Sequence, residues 1–181
     1  MKILVRIAFT SILITLLGAC AGWDPDKPEN EQNEQLKVSE AIARFEENDP
    51  GIQRFFDNAY GYAVFPTVGK GGVGIGGAYG RGRVYEGSVY VGNTSLTQVT
   101  VGFQWGGQAY SEIIFFESQR AMDDFKEGNF EFGAQASAVA ATLGASADAA
   151  YESGVAVFTV TKGGLMYEAS LGGQKFKYYP R

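Results

Sequence analysis

Residues 69–82 read GKGGVGIGGAYGRG, eight glycines in fourteen positions, and the fold turns on whether this stretch cradles a phosphate or bends a strand. Within it, Gly72-Val73-Gly74-Ile75-Gly76-Gly77 satisfies the G-x-G-x-x-G spacing. A dinucleotide-binding loop needs a helix to begin inside the motif, its N-terminus facing the pyrophosphate, and an acidic residue about 20 positions on. Here Ala78-Tyr79-Gly80-Arg81-Gly82-Arg83 follows, which does not start a stable helix. The P-loop spacing fails too, because Gly69-Lys70 is followed by Gly71 and not by Ser or Thr. Glycine in a strand permits bends, bulges and close approach of another backbone or a ligand, at a cost of roughly 0.5–1 kcal/mol each relative to alanine. The segment therefore reads as curved strands near a barrel corner, with a ligand site as the competing reading. That second reading rests on Lys70, Arg81 and Arg83, cations in a stretch free of Asp and Glu. With Tyr79 and Tyr85 they make a candidate anion-binding patch.

Immediately upstream, Tyr62-Ala63-Val64-Phe65 predicts a short strand stopped by Pro66. Earlier still, Val38, Ala41, Ile42 and Phe45 recur at i, i+3, i+4, i+7, the spacing of an amphipathic helix over residues 36–47. Asn48-Asp49-Pro50 ends that helix and starts another, with Asp49 as N-cap, Pro50 in the first helical position, and Ile52, Phe55, Phe56 and Ala59 on its apolar face. Downstream, residues 83–91, 98–105 and 109–116 read as strands separated by Gly92-Asn93 and Gly106-Gly107. Ser118 caps a middle helix that carries Met122 and Phe125 and ends at Gly128. Residues 130–138 alternate with period two and read as a strand whose small side chains suit a tightly curved sheet. Residues 155–161, the turn Lys162-Gly163-Gly164 and residues 165–171 form a hairpin, and residues 174–179 a closing strand. The expectation is one α+β domain over residues 36–181. Its sheet is strongly curved and mostly antiparallel, or a partial barrel, with six to eight strands, two N-terminal helices and one middle helix.

The N-terminus speaks to location. Lys2 and Arg6 precede an apolar run over residues 7–17, and Leu17-Gly18-Ala19-Cys20 follows, which resembles the bacterial lipobox. Residues 1–19 are then a signal peptide, and Cys20 carries the lipid as a thioether. Two or three acyl chains on one residue anchor stably where a single chain does not. Ala21 is not the aspartate that usually retains lipoproteins at the inner membrane, so the periplasmic face of the outer membrane is inferred. Residues 20–35, acidic and polar with two prolines, read as a tether able to reach about 50 Å. Trp23 sits near enough to the anchor to reach headgroup level.

Composition removes several chemistries. Cys20 is the single cysteine and the chain has no histidine, which excludes Ser/His/Asp and Cys/His catalysis and the usual zinc and non-haem iron sites. No disulfide is available despite an oxidising compartment. Without Lys2 and Arg6, 13 basic side chains face 20 acidic ones, so nucleic acid is not an expected partner. No cofactor, metal or catalytic residue is expected. An enzyme would have to rest on carboxylates such as Glu112 or Glu168, which read as solvent-facing residues of alternating strands.

Four blocks occur in a recognisable order: Tyr62-Ala63-Val64-Phe65-Pro66, Lys70 through Gly80, Val101-Gly102-Phe103-Gln104-Trp105-Gly106-Gly107-Gln108, and Lys162-Gly163-Gly164-Leu165 with Ser170-Leu171-Gly172-Gly173. They resemble the SYLF domain, also called the Ysc84 actin-binding domain, over roughly residues 36–181. The resemblance implies a non-enzymatic module that binds phospholipid or another amphiphile. Eukaryotic relatives bind phosphoinositides and actin, partly through basic N-terminal segments. Here the helix over residues 36–47 has only Lys37 and Arg44 against Glu40, Glu46 and Glu47, and a periplasmic protein does not meet cytoskeletal actin. The alternative is a structural envelope protein that binds a protein partner and uses lipid only at Cys20.

Overall fold

The structure, a computed structural model, describes residues 28–73, 75–101, 107–128, 138–163 and 173–181. The expected signal peptide over residues 1–19, Cys20, Trp23, residues 130–137, the predicted strand over 165–171 and Glu168 lie outside the described residues. The chain divides into two compact units, Met1–Gln35 and Leu36–Arg181. Among the described residues, every strand and every helix belongs to the second unit, apart from the first turns of one helix.

Helix α1 spans Pro28–Asn48. It thus begins inside the stretch expected to be an extended tether. Proline is tolerated in a first turn, where its missing N–H has no intrahelical use. Glu31 suits the positive end of the helix dipole, and Gln and Glu are good helix formers. Once the packed part is nucleated, each added residue gains a hydrogen bond, so the helix extends upstream without burying an apolar face. Val38, Ala41 and Phe45 are its buried positions. Asp49 then caps a 3-10 turn, Pro50–Ile52, by accepting from the Gly51 N–H at 3.2 Å, and helix α2, Gln53–Asn58, continues from it.

Seven strands follow: β1 Gly61–Val73, β2 Ile75–Glu86, β3 Val89–Val101, β4 Gly107–Phe116, β5 Val139–Ala140, β6 Val155–Gly163 and β7 Gln174–Pro180. Helix α3, Gln119–Lys126, lies between β4 and β5, and the short α4, Ala145–Asp148, between β5 and β6. Ser118 caps α3 through the Ala121 N–H. The sheet order is β5-β6-β4-β1-β2-β3-β7, antiparallel except for the β5–β6 pair. An α+β fold with a curved sheet is therefore found, as expected.

Two strand boundaries differ from expectation. Pro66 does not stop β1, because a bulge carries the strand past it: register shifts between Val64 and Thr67 toward β2 and between Phe65 and Val68 toward β4. A proline without an N–H is accommodated where the ladder is already interrupted. The next reversal falls at Gly87-Ser88, where Gly87 has φ +53°, and Gly92-Asn93 runs inside β3. No helix follows the glycine-rich motif; Val73 pairs with Ile75 at the tip of the β1–β2 hairpin.

The two faces of the sheet carry separate cores. On the outer face Val64, Ile113, Phe115, Phe158 and Tyr85 pack under Val38, Ala41, Phe45, Ile52 and Phe55 of the N-terminal helices. On the inner face Phe65, Val68, Val84, Leu96, Ile114, Phe116 and Phe176 surround Met122 and Phe125 of α3. The inner face is strongly concave. In a flat sheet β7 would stand four strand spacings, about 19 Å, from β4. Instead Gln174 of β7 donates to Glu112 of β4 at 3.2 Å, and the Phe176 ring lies 5.9 Å from Phe65 of β1.

That curvature explains the glycines best at Gly82. A Cβ there would press on the Val64 carbonyl oxygen and lie 2.9 Å from Cδ1 of Phe65, so the missing side chain is the room the Phe65 ring occupies. Gly82→Ala is expected to lower stability by about 2 kcal/mol in urea unfolding, whereas Gly69→Ala, with open space at that position, lacks the clash term.

Candidate functional site

The proposed anion patch does not form as one surface. Tyr79, Arg81, Arg83 and Tyr85 alternate along β2 on the outer face, opposite Gly69, Thr67, Val64 and Tyr62 of β1. Lys70 pairs with Ala78, an inner-face core position. The bulge at Pro66 inverts the alternation of β1, and this puts Lys70 on the opposite face from the two arginines.

The remaining four residues separate by depth. Arg83 and Tyr85 are buried. The Arg83 guanidinium lies 4.6 Å from the Tyr90 ring centroid, and Tyr85 stacks on Tyr62 at 5.0 Å with an interplanar angle of 17°. These two residues are part of the packing between sheet and helices. Tyr79 and Arg81 are exposed, and Arg81 Nε donates to the Tyr79 hydroxyl at 2.7 Å. Val99 of β3 pairs with Gly77 on the same face and is 74% exposed, against 49% for Tyr79. The outer face of the distal β2–β3 arm thus carries exposed Val99, Tyr79 and Arg81 in that order along the strands.

The residue most misjudged from sequence is Glu112. It is fully buried on the inner face, where Tyr110, Ile114 and Phe116 share its side of β4. Burial raises its pKa to about 8, only partly offset by the Gln174 hydrogen bond. At neutral pH the group is mostly an uncharged acid. Tyr110 beside it is pushed well above the usual phenol value, first by burial and then by the Glu112 charge, with Gln174 opposing. Thr159, opposite Glu112 on β6, is buried as well. A signal in the sequence could have found this. Both faces of residues 109–116 are apolar apart from Glu112 and Ser111, the mark of a strand covered on both sides.

Among the described residues, no cluster of three His, Cys, Asp or Glu side chains could hold a metal, and no helix is long and apolar enough to cross a membrane. An open groove of about 450 Å³ lies between α2 and the segment before β6, lined by Arg54, Phe55, Asn58, Glu117 and Tyr151 among others. Arg54 is already engaged there. Its guanidinium donates to the carbonyls of Ser146 and Ala149 and sits over the Phe55 ring, which makes it a clamp on the α4 segment.

Comparison with known proteins agrees with the motif order. Beta cell expansion factor A of Aeromonas veronii is 26% identical over 147 residues, covering 75% of this chain and 52% of that protein, so the chain spans about half the length of this relative. Residues 97–179, which run from β3 through β7, match the family described as Ysc84, Las17-binding protein actin regulator. With that match joined to a curved antiparallel sheet around a middle helix, residues 97–179 are similar to the Ysc84, or SYLF, family.

Proposed function

We propose that this is a non-enzymatic, lipid-anchored envelope protein, held by Cys20 on the periplasmic face of the outer membrane, whose SYLF domain binds phospholipid or another amphiphile. The observation that carries the reading is the distal β2–β3 arm, where exposed Val99 and Tyr79 lie next to Arg81 on one face. Tyrosine with an apolar body and polar tip, beside an arginine, matches the chemistry of a headgroup layer over acyl chains. Similarity to the Ysc84 family supports a binding module, and actin has no place as a partner in the periplasm.

The test uses the chain from Ala21 onward, which carries no acylation site. It is expected to float with vesicles of phosphatidylcholine and phosphatidylglycerol, and a Tyr79→Ser/Val99→Ser variant to bind about tenfold more weakly, the equivalent of losing part of two buried apolar side chains. Undiminished flotation of that variant would remove the arm as the contact. No flotation of the parent chain, together with crosslinking to one stoichiometric protein, would favour the structural alternative.

A further inference from the structure

The open groove of about 450 Å³ beside α2 carries one charge of each sign, and the two do not meet. Arg54 and Asn58 line it from successive turns of α2, Glu117 from the end of β4, and Tyr151 from the segment before β6. Both bonds that make Arg54 a clamp on α4, to the carbonyls of Ser146 and Ala149, come from Nη2. The N–H donors of Nε and Nη1 are left over, in a guanidinium already held in place and seated 4.8 Å over the Phe55 ring. Asn58 is fixed as well, because its Nδ2 donates to the Arg54 carbonyl at 2.6 Å, and this leaves its Oδ1 as an acceptor. Glu117 is tied by its backbone N–H to the Gly154 carbonyl at 2.9 Å. Among the described residues its carboxylate has neither a hydrogen bond nor an ion pair. The Tyr151 ring meets Phe55 edge-on at 5.5 Å, and its hydroxyl is buried with no hydrogen-bond partner. Buried polar groups are ordinarily paired, so an orphan hydroxyl in a groove wall calls for an explanation.

We propose that this groove binds a free α-amino acid with an apolar side chain, its carboxylate on Arg54, its ammonium on Glu117 and Asn58, and its side chain against Phe55 and Tyr151. The volume falls within the range of small-molecule sites and holds an amino acid with room to spare. Both charged contacts are of the strong, charge-assisted kind, and the aromatic pair offers the apolar wall. The choice of a zwitterion follows from the pair of charges. A simple acid gains at Arg54 and is repelled by Glu117, and a simple amine meets the reverse, whereas a molecule carrying both charges satisfies both. Tyr151 shows that the two charges share one space: burial raises its pKa first, the Glu117 carboxylate raises it further, and the Arg54 guanidinium lowers it. Arg54, Phe55 and Asn58 are already locked by their own contacts, so little ordering is left for binding to impose. The site uses none of the residues of the β2–β3 arm and stands whether or not that arm meets a membrane.

The test is a titration of the chain from Ala21 onward, which retains the whole of the compact unit Leu36–Arg181. Three probes are compared by NMR: phenylalanine, 3-phenylpropionate, which lacks the ammonium, and 2-phenylethylamine, which lacks the carboxylate. Phenylalanine is expected to shift the Arg54 Nε–H and Glu117 amide resonances saturably, and each one-charge analogue to bind at least roughly tenfold more weakly. Glu117→Gln removes a charge that no hydrogen bond of the fold uses, and it is expected to weaken phenylalanine about tenfold while leaving 3-phenylpropionate bound as well as before or better. The three-probe comparison on the parent chain stands even where a variant folds poorly. The site is overturned if phenylalanine gives no saturable shift at these residues, if either analogue binds as tightly as phenylalanine, or if a folded Glu117→Gln chain binds phenylalanine like the parent.

Discussion

A Glu112→Gln chain is expected to resist urea better than the parent at pH 9 and about equally at pH 4.5, with a gap at the higher pH on the order of 4 kcal/mol. The folded pKa of Glu112, about 8, lies above its ordinary value of 4.5 because burial disfavours the carboxylate. Below pH 4.5 both folded and unfolded chains hold the proton, and the contribution of the neutral acid is fully present. As pH rises, the unfolded chain releases its proton first and gains stability relative to the fold. That loss accumulates until the buried group ionises near pH 8, after which it stays constant. Glutamine keeps the size and a hydrogen-bonding partner for Gln174 but has nothing to ionise. Urea midpoints across pH 4–9 measure the effect, and parallel curves for parent and variant would show that Glu112 is not held neutral.

Asp49→Ala is expected to cost about 3 kcal/mol at neutral pH, more than an ordinary lost cap. The Asp49 carboxylate accepts from Gly51 N–H at 3.2 Å, Gly144 N–H at 3.3 Å and Ser146 N–H at 2.6 Å, and the side chain is buried. It therefore caps the 3-10 turn and also ties the chain entering α4 to the end of α1. Burial alone would raise its pKa, but these backbone donors outweigh it, and the net value lies below the ordinary 3.8. Its contribution is consequently present above pH 3.8 and lost as acid protonates it. Asp49→Asn, which keeps one acceptor oxygen, should lose less, and urea unfolding at pH 7 and pH 3 separates the two. Together Asp49 and Glu112 confine the most stable range to mildly acidic conditions.

The helices and most strands were legible because their signals are local. Ser118 with Met122 and Phe125, or Asp49 with Pro50 and Phe55, place a cap and an apolar face within one or two turns. The reversal at Gly87-Ser88 and the passage of β1 through Pro66 were not, since each depends on what the neighbouring strand does. Site residues suffered most from this. Lys70, Arg81 and Arg83 are close in sequence, but a single bulge between β1 and β2 decides which face each occupies, and depth then separates Arg83 from Arg81. Lys162 lies far from all three in sequence, and only the register of β4 with β6 brings its ammonium to Thr67. Glu112 was misread for the same reason: alternation locates a face, while the curl that encloses that face comes from strands many residues away.

The bond from Gln174 to Glu112 joins positions 62 residues apart, and so late a closure bears on how the chain can go astray. Until β7 arrives, the thirteen residues of β3 present an open row of donors and acceptors. A long, unprotected strand border recruits other chains, so partly assembled molecules are the ones that self-associate. In β7 itself, Lys175 and Lys177 point outward while Gln174 and Phe176 are buried. The same short segment that completes the interior thus leaves a charged rim in place of a sticky one, and damage to it should show as aggregation before it shows as lost secondary structure.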